Sequence, residues 1–116
     1  MGLPAPYSEL LRMRYQGRLP DSLDDLAGPA HGTVQLPLHI AWSGMTEFDL
    51  DRPKHCAMMY HIVLTEGQRY DLPVHINREL LISNWPILRR LLGRIIRDVW
   101  ESAFPAELND SEPDNA

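Results

Sequence analysis

Proline interrupts this chain at ten places and glycine at seven more, so most uninterrupted runs are short. Proline removes a backbone donor and clashes with the preceding helical turn, while glycine gives up the most backbone entropy on folding. A chain punctuated in this way is assembled from many small elements. Its 116 residues suit one packed core rather than two, and a 44% hydrophobic content is enough to form one. The reading is a single α+β domain over residues 1–104, followed by an acidic tail, residues 105–116, expected to lack order.

The clearest periodic signal is a strand. Val34, Leu36, Leu38, Ile40 and Trp42 alternate with Gln35, Pro37, His39 and Ala41. Five apolar positions at period two predict a half-buried strand over 34–42, and Pro37, which cannot donate to a ladder, makes it an edge strand. Ser43-Gly44 closes it, and residues 45–48 return as a short second strand. Helices must cover the apolar face of so small a hairpin.

Around it the pattern is helical. A short amphipathic helix is predicted over 6–16, ended by Gly17 and Pro20, then a turn or two at 23–26 before Gly28-Pro29. Asp51 and Pro53 predict the start of a helix over 52–65, with Gly67 ending it. Cys56, Met59, Tyr60, Val63 and Leu64 share one stripe of that helix and Met58 and Ile62 lie elsewhere, which predicts a helix sandwiched in the core. Asn77 caps a short helix over 78–82, and Ser83-Asn84 breaks the chain. Asn84 then caps a long C-terminal helix to Phe104, with Gly93 inside it at a cost of about 1 kcal/mol.

Leu88, Leu91, Leu92, Ile95, Ile96, Val99, Trp100 and Ala103 cover about half of that helix, against the roughly 100° that a single core contact needs. It therefore packs between two elements of its own fold, or part of it meets a partner. Ile96 and Trp100, at the stripe's edge, are the candidate partner-binding anchors. Arg90, Arg94 and Arg97 occupy the opposite sector, with Arg89 at its border. They read as a carboxylate- or phosphate-binding ridge or as a solvated face, since Arg94–Asp98 and Arg97–Glu101 are spaced to pair.

Charge and cysteine content narrow the function. The net charge is −5, and the tail's Glu107, Asp110, Glu112 and Asp114 account for most of it. Nucleic-acid binders usually show a basic excess, so nucleic acid is disfavoured as a partner. Cys56 is the only cysteine, which excludes a disulfide framework or a multi-cysteine zinc site within one chain. No run reaches the roughly eighteen apolar residues of a membrane span and no secretory leader is visible, so the expected setting is cytoplasmic, with no membrane.

No constellation commits the chain to catalysis, and no cofactor is implied. The five histidines lack the spacing that puts two ligands on one helical face. Asp49 and Asp51 form a D-x-D pair that could hold Mg²⁺ for a small enzyme acting on a nucleotide or phosphate, although Asp51 has a simpler role as a helix cap. Ser43 lacks a nucleophile elbow, and Cys56 reads as a core thiol. Residues 77–104 resemble a helix-turn-helix in outline, and a weaker alternative is a DNA-binding regulator that uses the arginine ridge. Trp85, Pro86 and Ile87 would nevertheless face the bases where polar groups are needed.

Four stretches carry a resemblance: residues 36–44 (LPLHIAWSG), Phe48-Asp49-Leu50, Tyr60 with Leu64-Thr65-Glu66-Gly67, and Trp85 with Arg97-Asp98-Val99-Trp100-Glu101. Together they resemble small, mostly uncharacterised actinobacterial proteins, some of them encoded beside nucleotidyltransferase-like toxins of the abortive-infection type. The resemblance spans residues 36–104 and brings no catalytic residues with it. What it implies is an antitoxin or accessory interaction protein with a toxin as its partner.

Overall fold

The structure is a computed structural model that describes residues 6–42 and 44–108. It is an α+β fold of six helices and one two-stranded antiparallel hairpin among those residues. In chain order these are α1 (Tyr7–Gly17), β1 (Thr33–Gln35), β2 (Glu47–Asp49), α2 (Pro53–Glu66), α3 (Leu72–His75), α4 (Arg78–Leu91), α5 (Arg94–Ala103) and α6 (Pro105–Leu108). Single 3₁₀ turns occupy Leu23–Asp25 and Arg69–Asp71. No helix among the described residues is long and apolar enough to cross a membrane.

The hairpin pairs Thr33 with Asp49, Val34 with Phe48 and Gln35 with Glu47. Val34 and Phe48 share its inner face, and Leu36 N–H donates to the Thr46 carbonyl at 2.7 Å to extend it. The predicted strand over 34–42 stops there. The Pro37 carbonyl accepts from both Ile40 N–H and Ala41 N–H at 3.0 Å, so the chain turns where the missing proline donor ends the ladder. Leu36 and Ile40 are buried as the alternation required, but Leu38 is 74% and Trp42 68% exposed. Side-chain alternation persists only while the backbone stays extended.

Helix α2 forms where Pro53 occupies the first turn, and it ends at Gly67, whose N–H reaches the Val63 carbonyl at 2.8 Å. Its cap is the backbone of Arg52 and not Asp51, which is used elsewhere. Cys56, Ala57, Met59, Tyr60, Val63 and Leu64 are buried between the hairpin, α3 and α4, while Met58 stays exposed. The segment before α4 is cross-braced. Ala27 N–H donates to the Pro73 carbonyl and Gly28 N–H to the Ile76 carbonyl, and a Cβ at Gly28 would lie 2.5 Å from the His75 backbone carbon. Asn77 N–H donates to the Tyr60 hydroxyl, and the Asn77 side chain caps α4 by accepting from Leu80 N–H at 3.1 Å.

The C-terminal region departs from the long-helix expectation in where it breaks. Helix α4 runs straight through Ser83-Asn84 with Pro86 inside it. Asn84 is not a cap: its amide donates to the Leu80 carbonyl at 2.8 Å and to Cys56 Sγ at 3.6 Å. The chain instead breaks at Leu92-Gly93, both extended, and restarts as α5. Leu81, Trp85 and Leu88 are fully buried, so packing against α2 holds the helix together across the proline. Nothing comparable supports helical backbone at exposed Gly93. The same continuity removes the helix-turn-helix outline. Beyond Phe104 the chain forms α6, with Leu108 wholly buried, so the packed domain extends four residues past the expected boundary. The remaining tail residues, 109–116, lie outside the described residues.

Candidate interaction surface

Helix α5 carries the residues on which the partner reading depends. Ile96, Val99 and Trp100 are buried, and Trp100 stacks obliquely near Trp85 and Phe104, with ring centroids 6.5 and 5.8 Å away. Ile96 and Trp100 are therefore core residues and not interface anchors. Most of the wide apolar stripe is covered within the fold, because α5 packs between α1 and α6 with Trp100 against Trp85 of α4, while Leu91 stays exposed.

The arginines do not form one ridge, because the break at Gly93 places Arg89 and Arg90 on one helix and Arg94 and Arg97 on another. Arg89 Nε donates to Glu101 Oε2 at 2.7 Å, and the buried Trp85 indole donates to the same oxygen at 2.8 Å. Burial alone would raise the Glu101 pKa. The hydrogen bonds from Arg89 and Trp85, with the positive charges of Arg89 and Arg97, outweigh burial and hold the carboxyl below its ordinary value. Arg97 lies 3.8 Å from Asp98. The Arg94–Asp98 and Arg97–Glu101 pairs do not form, and Arg90 and Arg94 are exposed with no carboxylate partner among the described residues.

The surface that sequence reasoning missed is on α1. None of its eleven residues is buried, and Tyr7, Leu10 and Met13 project outward at 72%, 52% and 62% exposure. Ile87 and Leu91 of α4 are each 52% exposed. The inner side of α1 faces α5 across a groove of about 500 Å³, lined by Leu11, Arg12 and Tyr15 from α1 and Arg94, Ile95 and Ile96 from α5. The signal was present in the spacing: at 100° per residue Met13, Leu10, Tyr7, Leu11 and Tyr15 follow one another around a continuous arc of about 200°. The arc is wider than the roughly 100° that one contact covers, so part of it stays open when the helix packs on one neighbour.

The other candidates serve the scaffold. Asp51 accepts from Gly32 N–H and contacts His31 Nδ1, each at 3.2 Å, and Asp49 accepts from Asp51 N–H at 3.0 Å. The D-x-D carboxylates thereby brace the end of the hairpin. Among the described residues no group of three or more His, Cys, Asp or Glu side chains converges as a metal site. Cys56 is buried, which pushes its thiol pKa up against the lowering effect of the Asn84 hydrogen bond.

One polar pair escaped the sequence reading. His39 Nε2 meets both oxygens of Asp71, at 3.1 and 2.9 Å, and buried Asp71 also accepts from Gln68 N–H at 2.8 Å. Burial lowers the pKa of neighbouring His75, an effect that Asp71 opposes and His39 reinforces. No hydroxyl or thiol bonds to His39 among the described residues, so the pair anchors the loop after Pro37 to the Arg69–Asp71 turn.

No protein-family model, curated protein or solved structure matches the chain.

Proposed function

We propose that this chain is a cytoplasmic protein-interaction module whose partner covers the outer side of α1. The observation behind this reading is that α1 buries none of its eleven residues while exposing Tyr7, Leu10 and Met13. Helices shorter than about 12–15 residues are marginal in water, and most of their stability comes from packing an apolar face. A short helix whose apolar arc is only partly covered by its own fold is suited to a partner that completes its packing. Arg94, exposed and without an ion-pair partner among the described residues, borders the groove on the inner side of the same helix. The resemblance to proteins encoded beside nucleotidyltransferase-like toxins makes such a toxin the specific partner proposed, with this chain as its antitoxin or accessory protein.

The test is affinity purification of the full chain at native expression, with Leu10→Ser/Met13→Ser and Leu38→Ser variants run in parallel. A nucleotidyltransferase-fold protein that co-purifies with wild type and Leu38→Ser, but not with the α1 variant at an unchanged thermal melt, is the expected result. Equal recovery with all three chains refutes the assignment of the surface.

A further inference from the structure

We infer that the groove between α1 and α5 receives an acidic amphipathic helix from a partner protein, with its apolar face on Leu11, Tyr15 and Ile95 and its carboxylates on Arg12 and Arg94. This goes beyond the interaction reading above, because it concerns the inner side of α1 and not the outer side that carries Tyr7, Leu10 and Met13. The groove's volume of about 500 Å³ lies within the range of roughly 300–1,000 Å³ typical of ligand-holding clefts. Its floor is aliphatic and aromatic, so it favours an apolar insertion.

Charge decides the class of occupant. No Asp or Glu lines the groove, and neither Arg12 nor Arg94 has an ion-pair partner among the described residues. Arg69, Arg78, Arg89 and Arg97 lie within 4 Å of a carboxylate, whereas Arg12 and Arg94, like Arg14, Arg52 and Arg90, do not among the described residues; what sets Arg12 and Arg94 apart is that both line the same apolar groove. In a chain of net charge −5, two unpaired guanidiniums bordering one apolar groove are complementary to carboxylates carried on an apolar body. Helix α5 also begins at the groove with no side-chain cap and no acidic residue in its first turn, which adds a partial positive charge there.

The geometry selects a helical segment over an extended one. Extended peptides draw affinity from a free sheet edge, whereas the groove is walled by two helices and the hairpin contributes none of its lining. A nucleic-acid strand fits less well, because an apolar floor offers nothing to a phosphate backbone.

The experiment uses a fluorescent synthetic helix with Leu at i, i+3, i+4 and i+7 flanked by Glu, and its counterpart with Lys replacing Glu. Binding is measured by anisotropy to the full chain, to Arg12→Glu, to Arg94→Glu and to the double variant, with amide chemical shifts mapping the contact. Both arginines lie at the surface, so thermal melts should match wild type. The expected result is binding of the Glu peptide to wild type, weakened at least about tenfold by either charge reversal and by high salt, with shifts on α1 and α5. The Lys peptide should prefer the double variant. Equal binding of the two peptides, shifts elsewhere, or no binding up to about 1 mM peptide overturns the inference. A co-purified partner that is lost on Leu10→Ser/Met13→Ser but retained by Arg12→Glu/Arg94→Glu would leave the proposed function standing and sink this inference alone.

Discussion

Replacing Glu101 by Ala should destabilise the protein by about 1–4 kcal/mol, although the position is partly exposed and carries no core side chain. Glu101 Oε2 accepts from the indole of Trp85, which is 0% exposed, and from Arg89 Nε, at 2.8 and 2.7 Å. Removing the acceptor leaves a buried N–H unsatisfied, which costs about 1–3 kcal/mol. The Arg89 pair adds a smaller amount, about 0–1 kcal/mol, because both side chains retain some solvent access. Because the residue lies on α5 and both donors on α4, the loss loosens the joint across Gly93.

Urea unfolding would measure this directly, in wild type, Glu101→Ala, Trp85→Phe and the double variant. In the Trp85→Phe background the indole donor is absent, so Glu101→Ala should cost only the Arg89 share. Equal costs in the two backgrounds, or a loss under about 0.5 kcal/mol in wild type, would refute the reasoning. The pH dependence supplies a second check. A carboxyl held below its ordinary value in the folded state stabilises it above the unfolded pKa, and that contribution is lost as pH falls through the folded value. Glu101→Gln should therefore flatten the acid limb of the stability curve below the ordinary carboxylate range.

Two further substitutions probe the loop and the buried polar cluster. Ile40→Ala should cost about 2–5 kcal/mol and Leu38→Ala under about 0.5 kcal/mol in the same urea assay, since Ile40 is 1% and Leu38 74% exposed; comparable costs would restore an unbroken strand over 34–42. His75 has a lowered folded pKa, so the unfolded chain takes up a proton near its ordinary 6.5 that the native state refuses, and stability should fall as pH drops through that value. His75→Asn should flatten this slope between about pH 7.5 and 5.5, with Asp71 and His39 as the neighbouring charges, and an unchanged slope would exclude His75 as the source.

Local rules sufficed where one residue's own chemistry decides the backbone. Pro53 and Gly67 set the limits of α2, Asn77 starts α4, and the α2 stripe from Cys56 to Leu64 is buried as its spacing requires. The α+β class followed from the same signals. Ser83-Asn84-Trp85-Pro86 is the opposite case. Locally it reads as a break and a new cap, yet α4 continues because Leu81, Trp85 and Leu88 bury fully against the core, a gain that outweighs the single hydrogen bond lost to Pro86. The fate of Trp100 could not be read from periodicity either. An apolar stripe states how much surface must be covered, and only the packed arrangement of α1, α4, α5 and α6 states that the cover for Trp100 comes from the same chain. Tyr7, Leu10 and Met13 have the same apolar character and the same helical spacing, but no element of the described chain reaches far enough to bury them. Sequence fixes which faces are apolar because periodicity is a property of one element. Which faces remain open is a property of how elements meet, and that depends on contacts between residues far apart in the chain.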